Sequence, residues 1–129
     1  MELYDRSPAA VSVSGWSVQY ASAADAGGGT QLPAPDATGT TNMSATSGKV
    51  ALVTSTTELT CGGDCDTAAG VRDFLGYGSA SDFEGAPAPA LSNTTSATRT
   101  DPAVDTDDNS ADFARVGPSP QSSAGGGRL

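Results

Sequence analysis

Apolar positions run together at one place in the chain and alternate with polar ones at others. Residues 49–54 (KVALVT) form a short apolar run rich in β-branched side chains, with Gly48 before it and Ser55-Thr56-Thr57 after it. Without alternation neither face is spared for solvent, so this run predicts a strand covered on both sides by other strands. Residues 16–20 (WSVQY) alternate strictly and place Trp16, Val18 and Tyr20 on one face of a half-buried strand. Residues 10–14 (AVSVS) alternate too, with Val11 and Val13 together and Ser14-Gly15 as punctuation. Residues 71–77 (VRDFLGY) predict another strand, and residues 2–4 and 91–95 predict shorter ones. The candidate core is Val11, Val13, Trp16, Val18, Tyr20, Val50, Leu52, Phe74 and Leu75. Trp16, the one tryptophan, reads as a core anchor because its period-2 neighbours are apolar as well.

Between these segments the pattern dissolves. Residues 21–46 contain the linker-like Gly27-Gly28-Gly29, the Leu32-Pro33-Ala34-Pro35 stretch that cannot be a central strand, and a polar span around Met43. They predict a long irregular loop. Phe83-Glu84-Gly85 and the Pro87/Pro89 segment read as loop, residues 105–112 as an acidic turn, and Phe113 as a docking residue. Residues 117–129 predict a disordered tail. No stretch carries a convincing helical period. Short strands with Gly/Pro punctuation predict an all-β sandwich over residues 1–116.

Composition makes that core small. Leu, Val and Phe together supply 18 of the 129 residues and isoleucine is absent, a content that with a net charge of -9 borders on that of disordered chains. The acidic surface argues against direct binding of nucleic-acid phosphate or an anionic membrane. The six cations (Arg6, Lys49, Arg72, Arg99, Arg115 and Arg128) are too scattered to form a basic patch. No apolar run reaches the length of a transmembrane helix. The first residues, Met1-Glu2-Leu3-Tyr4-Asp5, lack the basic start and apolar segment of a signal peptide, so the chain expressed as it stands is expected in the cytoplasm. Scarce Lys and abundant Ala, Gly, Thr and Asp fit a GC-rich bacterial genome.

Five segments in order carry a family resemblance: SGWSVQY (14–20), LPAPDATGTTNMSATSGKVALV (32–53), DFLGYGSA (73–80), APALSNTTSATR (88–99) and DTDDNSADF (105–113). Together they resemble the lamin-tail-like domain of bacteria. That resemblance implies an immunoglobulin-like β-sandwich, often attached to extracellular enzymes of the endonuclease/exonuclease/phosphatase type. Members of that family carry further strands before the LPAPDATG segment and begin with an earlier strand. The resemblance therefore implies a truncated, internally deleted copy, an incomplete sandwich with apolar edges exposed beside residues 50–53. Some relatives have cysteines near the positions of Asp82 and Ala103, and this chain has neither.

Candidate chemistry is sparse. With no histidine, a Ser-His-Asp triad, a Cys-His pair and any His-containing zinc site are excluded. Cys61 and Cys65 are spaced C-x3-C, not the redox C-x-x-C, and Gly62-Gly63 between them allows a tight loop disulfide, with two free thiols as the alternative. A disulfide suits a family that is mostly secreted. Asp105, Asp107 and Asn109 give the D-x-D-x-N opening of a calcium loop, and Asp112 offers a further oxygen. Ser110 and Val116 stand where such a loop wants Gly and a bidentate Glu, so an Asx-rich turn is the competing explanation. Asp73, Asp82 and Glu84 have no spacing that recommends a pair for acid–base work and read as solvated surface. The sequons at Asn42 and Asn93 carry little meaning in a bacterial-looking chain.

The expectation is a non-catalytic lamin-tail-like accessory module for binding or spacing, its partner another protein or a tethered hydrolase domain, with Ca²⁺ the one candidate cofactor. The alternative is a piece of an extracellular nuclease or phosphoesterase, without activity of its own.

Overall fold

The computed structural model describes residues 8–9, 11–22, 30–31 and 42–118. The expected strand at residues 2–4, most of the 21–46 segment and nearly all of the 117–129 tail lie outside them. The strands are β1 (Ser17–Ser22), β2 (Thr30–Gln31), β3 (Gly48–Val53), β4 (Val71–Tyr77), β5 (Ser96–Arg99) and β6 (Phe113–Val116). A 3-10 turn at Cys65–Thr67 and a single helical turn, α1 (Asn109–Asp112), complete the described elements. These two short pieces correct the helix-free expectation. The architecture is mostly β in two sheets, one ordered β2-β1-β3-β4 and one made of β5 and β6, antiparallel within each, with an isolated parallel bridge between Tyr77 and Ala88.

The KVALV run is the central strand, because both of its faces are apolar and both edges find partners. Val50 faces Tyr20 on β1 and Leu75 on β4, and Ala51 faces Gln19 and Phe74. Since side chains alternate across a strand, β3 serves two separate clusters. On one face Val50 packs with Tyr77 and Ala88, joined by Val18, Leu75, Leu91 and Phe113. On the other, Ala51 and Val53 pack with Cys65 and Phe74, joined by Leu59, Cys61 and Val71. The edges beside β3, expected to lie exposed, are instead paired, with β1 on one side and β4 on the other.

Three strand expectations need correction. Residues 11–13 form no strand, and Val11 is 53% exposed. A turn through Gly15 (φ 81°), closed by the Trp16 N–H donating to Val13 O at 3.0 Å, separates them from β1. Residues 91–95 form a turn rather than an edge strand. The Ser92 N–H donates to Thr95 Oγ1 at 2.9 Å and the Thr95 N–H to Ser92 O at 3.2 Å, local bonds that compete with a sheet ladder. The strand begins only past that segment, at Ser96, and pairs from Ser96↔Val116 to Arg99↔Phe113. Lastly, β1 buries its polar side. Ser17 and Gln19 are 5% and 3% exposed, whereas Trp16 is half-buried and belongs to neither cluster.

Those polar residues are buried because they secure the segment that follows β3. Ser17 Oγ donates to Ser55 O at 2.6 Å, and Gln19 Nε2 donates to Thr57 O at 2.8 Å. Gln19 Oε1 accepts the Leu59 N–H at 2.8 Å. A buried amide satisfied on both its nitrogen and its oxygen avoids the desolvation cost that burial would otherwise impose. Residues 55–70 thereby lie over the Ala51, Val53 and Phe74 face, where Cys61 and Cys65 are joined as a disulfide. Among the described residues, no helix is long and apolar enough to cross a membrane.

Candidate functional site

The site forms where β4, β5 and the acidic 105–112 segment meet. Its scaffold begins with Asp108, which caps α1: its Oδ1 accepts the Ser110 N–H at 3.0 Å and the Ala111 N–H at 3.4 Å. An Asp at this position satisfies donors that the first helical turn leaves open. The Ser110 hydroxyl bond and these backbone bonds outweigh partial desolvation and hold the Asp108 carboxyl below its ordinary value. The helical turn that follows sends Asn109 to the edge of β4 and Asp112 toward β5.

Asn109 is fully buried and uses its whole carboxamide. Oδ1 accepts the Gly76 N–H at 2.8 Å and the Glu84 N–H at 3.2 Å. Nδ2 donates to Phe74 O at 2.8 Å and to Glu84 Oε2 at 3.0 Å. The side chain thus bonds the edge of β4 as a neighbouring strand would, taking one N–H and one C=O, and holds Glu84 beside it. Two donor hydrogens and two acceptor lone pairs are all engaged, the full capacity of the group. Close approach on this side also requires Gly76, where a Cβ would collide with Asp82 O and Phe83.

Arg99 ties the two sheets together. From β5, Nη2 donates to both oxygens of Asp73 on β4, at 3.1 and 3.0 Å. Nη1 donates to Val104 O, Asp105 Oδ1 and Asp112 Oδ2 at 3.2, 3.3 and 3.2 Å. The guanidinium carbon lies 4.5 Å from the centre of the Phe113 ring, within cation–π range. Burial opposes the Arg99 charge, but the carboxylates of Asp73, Asp105 and Asp112 outweigh it and hold the guanidinium above its ordinary value.

The carboxyls respond differently to this setting. Asp112 is 4% exposed, and burial alone would raise its pKa. Bonds from the Thr106 N–H (2.9 Å) and Thr106 Oγ1 (2.8 Å), with the Arg99 charge, bring it below the ordinary value. Asp73 moves the other way: burial and the Asp105 charge overcome Arg99. Glu84, 9% exposed, is pushed up to about 7 by burial first and then by the charges of Asp73 and Asp105, which outweigh the Asn109 bond. Three carboxyl groups, those of Asp73, Asp105 and Asp112, crowd one guanidinium, so negative charge is in excess.

One oxygen each from Asp73, Glu84 and Asp105 lies within 4.8 Å of the others. Oxygens so spaced suit a cation with ligand distances of about 2.3–2.6 Å. A cation there would add the positive charge that the cluster lacks, beside the Asp73 and Asp105 oxygens that Arg99 already engages.

The residues singled out in the sequence are redistributed. Of the calcium-loop set, Asp105 belongs to this cluster, Asp112 points to Arg99 and Thr106, and Asn109 is spent on β4 and Glu84. Asp107 is exposed, with a left-handed φ of 54°. Asp73, Asp82 and Glu84, expected as solvated surface, are instead half-buried or buried: Asp82 is 7% exposed and accepts the Cys65 N–H at 2.8 Å. Sequence reasoning missed Glu84 and Arg99 as partners because the cluster is spread over separate segments. The available signals were an aspartate inside the apolar run of β4 and an arginine isolated from other cations.

Comparison with protein-family models, with curated proteins and with solved structures finds no match. The chain is therefore described by its own geometry: a small, mostly β domain with a partly buried acidic cluster able to coordinate a divalent ion.

Proposed function

We propose that this chain is a non-catalytic β module of a larger extracellular protein of the nuclease or phosphoesterase type. Its own contribution is to bind a divalent cation, Ca²⁺ first, at Asp73, Glu84 and Asp105. The observation that carries this is the convergence of those three carboxylates from three separate segments. Metal-dependent hydrolysis needs a base and a substrate cleft beside the ion; the chain has no histidine, and Glu84, the carboxyl raised to about 7, is assigned as a ligand instead. The cation is assigned a structural role, joining β4 to the loops beside it. Calorimetry with CaCl₂ is the test: binding is expected with Kd of about 10⁻⁴–10⁻³ M, as in extracellular calcium modules, and is lost in Glu84→Gln. Absence of heat at millimolar Ca²⁺ refutes the site. Release of phosphate or nucleotide by the pure protein with Mg²⁺ or Ca²⁺ refutes the non-catalytic assignment.

A lamin-tail-like, immunoglobulin-like identity remains a compatible reading, with the module acting as spacer or interaction domain. What favours it is that three of the resembling segments meet at one residue. Arg99 ends one, Asp73 opens another, and Asp105 and Asp112 belong to a third. An experimental structure with further strands closing the β5–β6 layer against the larger sheet would establish it; an open two-stranded layer would count against it.

A further inference from the structure

The 55–70 segment is a cover over the face formed by Ala51, Val53 and Phe74, and its tethers are unevenly placed. Its start is gripped by Ser17 and Gln19 through Ser55, Thr57 and Leu59. Its end is fixed where the Thr54 N–H and Oγ1 both donate to Gly70 O, at 2.8 and 3.1 Å. The middle depends on Cys65, which is 6% exposed, sits in the apolar cluster, and gives its backbone N–H to the buried Asp82 carboxylate. From there the Cys61–Cys65 bond closes a small loop whose tip, Gly62, Gly63 and Asp64, is exposed. Asp64 holds a φ of 55°, a left-handed conformation uncommon for a residue with a side chain. Cys61 is half-buried beside that tip and is the more exposed of the two cysteines.

We propose that the Cys61–Cys65 disulfide is a redox latch: its reduction frees the loop from Leu59 to Cys65 and uncovers the Ala51, Val53 and Phe74 face while the two sheets stay folded. A dithiol reductant supplies the electrons. Its thiolate attacks Cys61 Sγ, the S–S bond breaks, and Cys65 leaves as a thiolate that takes up a proton. The second thiol of the reductant then displaces Cys61, which is protonated in turn, and the reductant departs as a cyclic disulfide. Two electrons pass to the protein.

The effect is local because the bond lies within one connection and cross-links no two strands. Closing so short a loop restrains that segment alone, and opening it also lets Asp64 leave its left-handed conformation. Apolar surface at Ala51, Val53 and Phe74, covered in the oxidised state, is the output.

Amide hydrogen exchange, with and without a small dithiol, tests this. The Leu59 and Cys65 amides report the cover, and the Val50 and Ala51 amides report the sheet. Reduction is expected to speed exchange at Cys65 by roughly thirtyfold, from the loop-closure entropy of a bond this short, and at Leu59, just outside the closed loop, by less. Val50 and Ala51 should not change, and fluorescence of an apolar dye should rise. Cys61→Ser should show the fast exchange with no reductant added. Unchanged exchange at Leu59 and Cys65 on reduction overturns the latch. Equal acceleration through Val50 and Ala51 overturns it too, since the bond would then support the whole fold.

Discussion

The two faces of the larger sheet are covered by different chemistry. On the side of Val50 and Tyr77, the cover is the β5–β6 layer, and its polar fastening is ionic: Arg99 against Asp73, Asp105 and Asp112. On the side of Ala51 and Phe74, the cover is the 55–70 connection, fastened by bonds from Ser17 and Gln19 and by the Cys65 N–H on Asp82, with one covalent bond closing a loop inside it. Both covers sit on clusters of similar size, so packing does not separate them. What separates them is which conditions loosen each: protons, salt and cations act on the first, a reductant on the second. A chain with so few large apolar residues relies on such fastenings, because neither cluster is large enough to hold its cover by burial alone.

The largest expected loss comes from the edge where the ionic cover begins. Asn109→Ala removes four hydrogen bonds and leaves the Gly76 N–H, the Glu84 N–H and the Phe74 C=O without a partner. Buried groups left unsatisfied cost about 1–3 kcal/mol each. With some recovery by water, the expected destabilisation is about 3–5 kcal/mol, measured by urea unfolding. Asn109→Asp should be at least as damaging, because a carboxylate there faces both Phe74 O and Glu84 Oε2. A loss below about 1 kcal/mol for either variant would mean that this edge is not what holds the ionic cover.

How far these features were legible depends on how local their causes are. β3 and β4 could be read because KVALVT and VRDFLGY declare themselves through consecutive apolar and β-branched residues. β5 could not, since SATR carries no large apolar side chain and owes its conformation to pairing with β6 and to Arg99. The alternation in WSVQY identified a strand but misjudged its sides, because the value of Ser17 and Gln19 lies in a connection some 40 residues on. A single Asn in an acidic run looks like turn chemistry until tertiary structure places it on β4. The carboxylates at 73, 84 and 105 share no local period that any helix or strand would align. Cys61 and Cys65 were legible as a pair, while the apolar face beneath them was not.

A smaller effect is expected from pH, and it acts on the ionic side alone. Glu84 has a folded pKa of about 7 against an ordinary 4.5, so the folded state binds the proton more tightly than the unfolded chain does. The stability this supplies is fully present below pH 4.5 and is lost as pH rises through 7. Asp73, raised in the same direction, adds to that slope, whereas Asp112, held below 3.8, loses its contribution only as pH falls through its folded value. The chain should therefore be most stable near about pH 4–5. A fully sealed carboxyl shifted this far would change stability by about 3 kcal/mol. Glu84 borders the exposed Gly85 and lies near the exposed Asp107, and solvent screening reduces the expected change to about 1–2 kcal/mol. Glu84→Gln keeps an acceptor for Asn109 Nδ2 and should flatten the decline between pH 5 and 8 in thermal melts. An unchanged slope in that variant would assign the pH dependence elsewhere.

The smallest expected effect falls on the cover of the Ala51 and Phe74 side and isolates it from the ionic one. Gln19→Leu removes the donor to Thr57 O and the acceptor for the Leu59 N–H while keeping the side chain's bulk. Both backbone groups lie beside exposed residues and can turn to water, so the loss should be about 1 kcal/mol. Its signature is distribution rather than size. Exchange at Leu59 should quicken with the disulfide intact, and the decline of stability with pH should keep its wild-type slope. Reduction should then add to the substitution by less than it adds to the native chain, since both act on one segment and neighbouring changes are not additive. Full additivity would mean that Gln19 and the disulfide hold separate pieces of the connection. The two faces would then differ in more than the chemistry of their fastenings: one cover would move as a unit with its ion pairs, and the other would open in parts.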